Sequence, residues 1–216
     1  MTRRTLVGFL AVLAVMLVPA AAMADAINFK LLRNQSRATF KSDAPLETFV
    51  GNTAAEGVDG TLTVDPARPQ EAKGSVKVDM NLVRTGIDRR DADMRGKNYL
   101  DTEVEANRWV TFEVKSVEIA GPLEPGKAVP AKVKGILTIK QKPVETVADA
   151  TVTYIKLTPE QAEQQKRFGF TADNIKVRAK FSTTFTDHAM QVPQLQFLKV
   201  ADELVLETDL TFVRAD

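Results

Sequence analysis

Apolar and polar residues alternate with a period of two in several stretches of the chain. Between residues 110 and 115, for example, valine and phenylalanine are separated by threonine, glutamate and lysine. Successive side chains of a strand point to opposite faces, so the pattern predicts β-strands with one apolar and one polar face. The apolar rows are Ala38 and Phe40; Val76, Val78 and Met80; Val110, Phe112 and Val114; Val133, Gly135, Leu137 and Ile139; Ile175, Val177, Ala179 and Phe181; and Leu204, Leu206, Thr208, Leu210 and Phe212.

Turn and helix signals divide these rows. Proline- and glycine-containing segments at 65–69, 121–126 and 141–143 predict hairpin turns. A capping box at residues 158–161, with Gly169 as the stop, predicts one short helix, and the polar stretch 89–98 predicts a turn or a single helix over one end. The chain is therefore expected to be all-β, with antiparallel strands that close or sandwich to hide their edges.

The N-terminus has the three parts of an export signal. Arg3 and Arg4 precede an apolar run at residues 6–18, and Ala22 and Ala24 are small residues of the kind that a signal peptidase reads. We expect residues 1–24 to be removed after Ala24, leaving a single domain at 25–216 in the periplasm or outside the cell. A retained anchor is the alternative, and residues 2–6 also look like a twin-arginine signal, although ordinary export is favoured.

Composition narrows the chemistry. The chain has no cysteine, which excludes disulfides, thiolate catalysis and thiolate metal sites. Removal of the two signal arginines reduces the 29 basic residues to 27, against 28 acidic ones. This balance gives no electrostatic reason to expect nucleic acid or an anionic membrane as a partner.

Several catalytic and metal-binding classes lack their residues. His188 is the only histidine, so a histidine triad or a multi-histidine metal site is not expected, and His188 is interpreted as a structural or surface residue. Asp88, Asp91 and Asp93 lack the glycine and glutamate of a calcium loop. We predict no enzyme and no metal. A carboxylate-dependent hydrolase stays open because its two carboxylates need only be close in space.

One internal stretch resembles a known family. It contains Thr85-Gly86, then Arg90-Asp91, Met94, the step Tyr99-Leu100-Asp101 and a strand with Phe112. With the segments at 36–40, 60–65 and 133–139, it resembles the YceI-like family of exported, lipocalin-shaped proteins that bind polyisoprenoids. The likeness covers most of residues 27–213. The chain departs from the family pattern at Lys140 and Gln141 and again at residues 186–190.

The resemblance implies a fold and a ligand. It implies an antiparallel lipocalin-like β-barrel of about eight strands with one or two short helices, enclosing a tunnel for a polyisoprenoid, an isoprenoid quinone or a fatty-acid-like lipid. No other cofactor is implied, and a homodimer stays open. The predicted ligand-binding residues are Phe40, Val78, Met80, Arg90, Asp91, Met94, Trp109, Phe112, Leu137, Ala179 and Phe181.

Some of these residues have a second interpretation. Inward apolar side chains form a core whether or not a ligand exists. Gly135 and Ala179 are small enough to leave space, Arg90 and Asp91 either flank a polar head or anchor their loop, and Trp109 either plugs a barrel end or flanks the pocket. If the barrel is filled, the protein is instead a protein-binding or inhibitory module.

Overall fold

The computed structural model of the protein describes residues 26–195 and 198–215, so the predicted signal and its cleavage site lie outside the described residues. The strands are β1 Ile27–Leu31, β2 Arg37–Ala44, β3 Glu47–Thr53, β4 Val58–Val64, β5 Lys73–Asp79, β6 Val83–Arg84, β7 Trp109–Ile119, β8 Ala128–Ile139, β9 Lys142–Lys156, β10 Asp173–Thr184, β11 Gln194–Leu195, β12 Leu198–Lys199 and β13 Glu203–Arg214. The helices are α1 Asp88–Arg95 and α2 Pro159–Gln165, with short 3₁₀ turns between elements.

Eight antiparallel strands close into a barrel in the order β1-β4-β5-β7-β8-β9-β10-β13, and β13 returns to β1. This confirms the predicted all-β barrel. The alternation observed in the sequence is present in the register: Val177 on β10 pairs with Val152 on one side and with Leu210 on the other, so apolar residues from neighbouring strands share the inner face.

The barrel has a branch at one end. The long strand β13 pairs with β1 near its C-terminus and with β2 through residues 205–209. β2 continues into a hairpin with β3, and β3 pairs with the two-residue strand β6. The branch therefore extends the wall beyond the eight-stranded part, on the side where α1 follows β6.

The capping box predicted for α2 is present. The Thr158 side chain accepts from the Gln161 backbone N–H, and the Gln161 side chain accepts from the Thr158 backbone N–H. Gly169 ends this segment with a left-handed φ of 90°. The other helix, α1, spans part of the polar stretch 89–98 and has no side-chain N-cap.

The hairpin turn between β8 and β9 lies at residues 140–141, whereas the sequence predicts it at 141–143. Lys140 and Gln141 form the turn with φ of 48° and 60°, and Pro143 lies in β9. Positive φ at both turn residues matches the twist of the flanking strands, although this conformation is unfavourable for residues other than glycine. The Gln141 amide donates to Asn107 Oδ1 at 2.8 Å, and the Lys140 ammonium donates to the Lys97 carbonyl at 3.0 Å, which hold the turn in place.

The buried side chains form two clusters along the barrel. One lies at the end opposite α1 and includes Phe29, Ile175 and Phe212, which are at most 3% exposed. The other lies nearer α1 and includes Met80, Leu137 and Met190. Members of both clusters also line an open space inside the barrel.

Candidate ligand cavity inside the barrel

A cavity of about 770 Å³ occupies the barrel interior. Its wall is built mainly from the inward apolar rows of the strands. Phe40, Val78 and Phe181 point into it and are only partly buried, although they lie on the inner face of a closed barrel. Side chains of this kind are partly exposed because they face open space and not a neighbour, so the barrel is not filled by its own side chains.

Two phenylalanine rings lie against glycines in the wall. Phe40 on β2 is the cross-strand partner of Gly51 on β3, and a Cβ built on Gly51 would collide with the Phe40 ring. A Cβ on Gly135 would lie 2.5 Å from two ring carbons of Phe112. The expectation that Gly135 leaves space is therefore wrong, because the Phe112 ring occupies that space; Ala179 does line the cavity.

Helix α1 and the turn before it form the rim of the cavity. Ile87, Arg89, Arg90 and Met94 line it at this end. Arg90 is fixed by the branch hairpin, because its Nη2 lies 2.6 Å from Glu47 Oε1 and its guanidinium lies 4.4 Å from the centre of the Phe49 ring. The rim helix is thus attached to β3 through one arginine.

Asp91 lies behind the rim. Its carboxylate is 3% exposed and accepts from the Thr85 backbone N–H at 2.8 Å and from the Thr85 hydroxyl at 2.7 Å. On the same helix Arg95 donates to the Val83 carbonyl at 2.9 Å, and burial lowers the pKa of Arg95. These contacts tie α1 to β6, so Asp91 holds the rim and does not face the cavity.

Trp109 lies on the outer face of the barrel. Lys77 Nζ lies 4.8 Å and the Arg108 guanidinium 5.1 Å from the centre of its ring. Arg108 is in turn bonded to buried Asp79, with Nη2 at 2.6 Å from Oδ2. This hydrogen bond holds the pKa of Asp79 below its usual range. The two predicted roles of Trp109, plugging a barrel end or flanking the pocket, both require an inward ring, whereas this ring points outward.

His188 is fully buried in the corner that follows β10. Its Nε2 lies 2.8 Å from the Thr183 hydroxyl and its Nδ1 lies 3.0 Å from the Lys142 carbonyl. Burial lowers the pKa of His188, which favours the neutral ring. The corner it holds carries Phe185 and Met190, which line the cavity. The structural interpretation of His188 matches this position.

A polar cluster lies beside the first core cluster, at the end of the barrel away from α1. Tyr154 donates to Asp173, and Arg214 Nη1 lies 3.1 Å from the second carboxylate oxygen of Asp173. Burial raises the pKa of Tyr154. Ile175 and Phe212 of this core cluster line the cavity at its lower end, and the cavity runs from there to the rim at α1.

The structure places the predicted ligand-binding residues in two groups. Asp91 and Trp109 lie away from the cavity, and the others lie against it. Those against it are Phe40, Val78, Met80, Arg90, Met94, Phe112, Leu137, Ala179 and Phe181. Their contact with a ligand stays a prediction.

Sequence reasoning missed wall residues that lie outside the alternating rows. Phe49 comes from the branch hairpin, and Ile87, Tyr99 and Pro193 come from loops around the rim. Strand alternation carries no signal for loop residues, and only the likeness of the stretch 85–101 to a family pointed to this region.

Two features are absent from the described residues. No group of histidine, aspartate and glutamate side chains there has the geometry to hold a metal ion. In the same part of the chain, no helix is long and apolar enough to cross a membrane.

A closed antiparallel barrel around an apolar cavity defines a ligand-binding β-barrel, the class to which lipocalin-shaped proteins belong. The profile of the YceI-like domain matches residues 29–212, and the chain belongs to the YceI-like family. A search of curated proteins found no match.

Solved structures with the same fold are distant in sequence. A polyisoprenoid-binding domain from Saccharophagus degradans, implicated in plant cell wall breakdown, is 17% identical with a TM-score of 0.61, and the match covers 88% of this chain and 99% of that one. BcnA from Burkholderia cenocepacia is 16% identical with a TM-score of 0.59, covering 82% and 95%. A Campylobacter jejuni YceI protein is 17% identical with a TM-score of 0.57, covering 77% and 84%. Identities this low establish a shared fold alone.

Proposed function

We propose that the protein is an exported, non-catalytic binder that holds one long-chain apolar molecule inside its barrel, for carriage or sequestration. The ligand is a polyisoprenoid, an isoprenoid quinone or a fatty-acid-like lipid. The observation that carries the proposal is the cavity of about 770 Å³ with a largely apolar wall. This volume is within the range of small-molecule sites, roughly 300–1,000 Å³.

The size of the cavity suits a chain. At the roughly 30 Å³ that a water-sized group occupies, the cavity has room for on the order of 25 non-hydrogen atoms, or about five isoprene units. Burial contributes roughly 0.8 kcal/mol per CH₂, so one five-carbon isoprene unit contributes on the order of 3 to 4 kcal/mol. A few buried units would hold a ligand tightly even after the cost of immobilising it.

Two further observations support this proposal over its main alternative. A protein-binding module on a filled barrel requires an occupied interior, and the barrel interior is open. The structural neighbour from Saccharophagus degradans is described as polyisoprenoid-binding, and the family resemblance in residues 85–101 points the same way.

Mass spectrometry tests the ligand directly. The protein is expressed with its own signal and analysed under native conditions, then again after organic extraction. A stoichiometric extra mass that extracts as a prenyl or acyl lipid is expected. An apo mass that stays unchanged after incubation with isoprenoids, quinones and fatty acids would contradict the proposal.

The same preparation tests export. We expect the mature chain recovered from outside the cytoplasm to begin at Asp25, after cleavage at Ala24. The N-terminal peptide can be read in the same spectrometer. An uncleaved chain in the membrane fraction would favour the retained anchor instead.

A further inference from the structure

We propose that Gly51 determines the width of the cavity by seating the Phe40 ring against the wall, and that this width admits methyl-branched chains in preference to straight ones. This inference rests on the proposed function. Gly51 lies on β3, outside the apolar rows that the sequence pattern predicts.

Phe40 and Gly51 contact each other on the inner face of the barrel wall. Both residues line the cavity, and they face each other across the β2–β3 pair. A Cβ on Gly51 would meet Cε1 of Phe40, with Cζ at 2.8 Å and Cδ1 at 2.9 Å. All three nearest atoms belong to this one ring and none to the backbone. The ring therefore covers the inner surface of the glycine directly.

A side chain at position 51 would push this ring into the cavity. Carbon atoms in contact prefer separations of about 3.5 to 4.0 Å, so the nearest ring atom, Cε1, would have to move inward by more than about 1 Å. A glycine within a strand weakens it, and often marks a close approach of this kind. Here the glycine gives a recess for an aromatic ring, and the recess keeps the cavity wide.

A second wall contact has the same form. The Phe112 ring covers Gly135, and its centroid lies 5.5 Å from that of Phe181. Two of the large rings of the wall are thus seated over glycines. Gly135 is less suitable for a test, because a Cβ there would also lie 2.6 Å from the Glu113 carbonyl oxygen and would strain the backbone.

Width distinguishes two classes of apolar chain. A prenyl chain carries a methyl branch on every unit, whereas an acyl chain of the same main-chain length carries none. Narrowing the cavity should exclude the branches and spare the straight chain. The expected loss is about four-fold in affinity for each methyl branch that the displaced ring excludes.

The experiment compares two alcohols of equal main-chain length, geranylgeraniol and hexadecanol. Purified protein is stripped of lipid, incubated with an equimolar mixture, and the ratio of the two bound species is read by native mass spectrometry. The variants are Gly51→Ala, Phe40→Leu, and both together. We expect a bound mixture enriched in geranylgeraniol for the wild type, a ratio at least about four-fold lower for Gly51→Ala, and recovery in the double variant.

The rescue separates cavity width from strand stability. Both Gly51→Ala and the double variant carry alanine in β3, so a change due to the strand alone would persist in the double variant. Phe40→Leu keeps the glycine and replaces the ring with a smaller side chain, so it should raise the ratio of geranylgeraniol to hexadecanol. An unchanged ratio in both single variants, or a fall that the double variant does not reverse, would overturn the inference. A wild-type protein that binds neither alcohol would instead refute the proposed function.

Discussion

The substitution Ala179→Leu should block the cavity without damaging the barrel. Ala179 lies on β10, lines the cavity and is only partly buried, so the added side chain enters open space. Three extra carbons on the wall displace about three carbons of a bound chain. At roughly 0.8 kcal/mol per carbon, the ligand loses on the order of 2.4 kcal/mol, or about 60-fold in Kd.

Equilibrium dialysis with labelled geranylgeraniol measures the loss, and a thermal melt verifies the fold. The matched control is Ala128→Leu on β8, because Ala128 is an exposed alanine on the outer face of a strand. We expect the control to bind as the wild type does. Equal Kd values for Ala179→Leu and the wild type, in folded protein that binds the ligand, would show that the chain does not pass Ala179.

Three further predictions concern the frame around the cavity. Below the ordinary histidine pKa of about 6.5, the histidine of the unfolded chain takes up a proton, whereas burial lowers the pKa of His188 in the folded chain. The free energy of unfolding should therefore decrease as the pH is lowered, by up to about 1.4 kcal/mol per pH unit. Urea unfolding between pH 7 and 5.5 should show this slope in the wild type and a smaller slope in His188→Gln. Asp91→Ala should lower the free energy of unfolding by about 1 to 3 kcal/mol, since it leaves the Thr85 backbone N–H without its acceptor, and chemical denaturation that shows no change would contradict the anchoring role. Gly135→Ala should lower the free energy of unfolding by about 1 to 3 kcal/mol, because the Phe112 ring and the Glu113 carbonyl oxygen occupy the space that a Cβ would need. A variant that melts at the wild-type temperature would refute this packing.

The alternation of the strands could be predicted from the sequence because each row follows from the backbone alone. A strand exposes successive side chains to opposite faces, so Val177, Ala179 and Phe181 had to share one face wherever the strand was placed. The same reasoning gave the capping box of α2, which depends only on Thr158 and Gln161 being three residues apart. Local rules of this kind do not need the rest of the chain.

The roles of charged and aromatic residues needed their distant partners. Asp91 faces Thr85 and Arg90 faces Glu47, and no spacing rule relates residues 47 and 90. Trp109 points outward because the register of β5 and β7 places Val110 inside. Burial and pairing of a polar side chain depend on which elements pack against it, so the sequence left these alternatives open.

The sequence by itself determined that the chain is all-β, that its strands have one apolar face, and that it resembles a family of barrels. Only the tertiary structure decided whether the barrel is open or filled. The residues of an open and a filled barrel have the same pattern, because both require apolar inward rows. The difference depends on whether rings such as Phe40 and Phe112 project into the centre or lie over glycines on neighbouring strands, and pairing across strands sets that geometry.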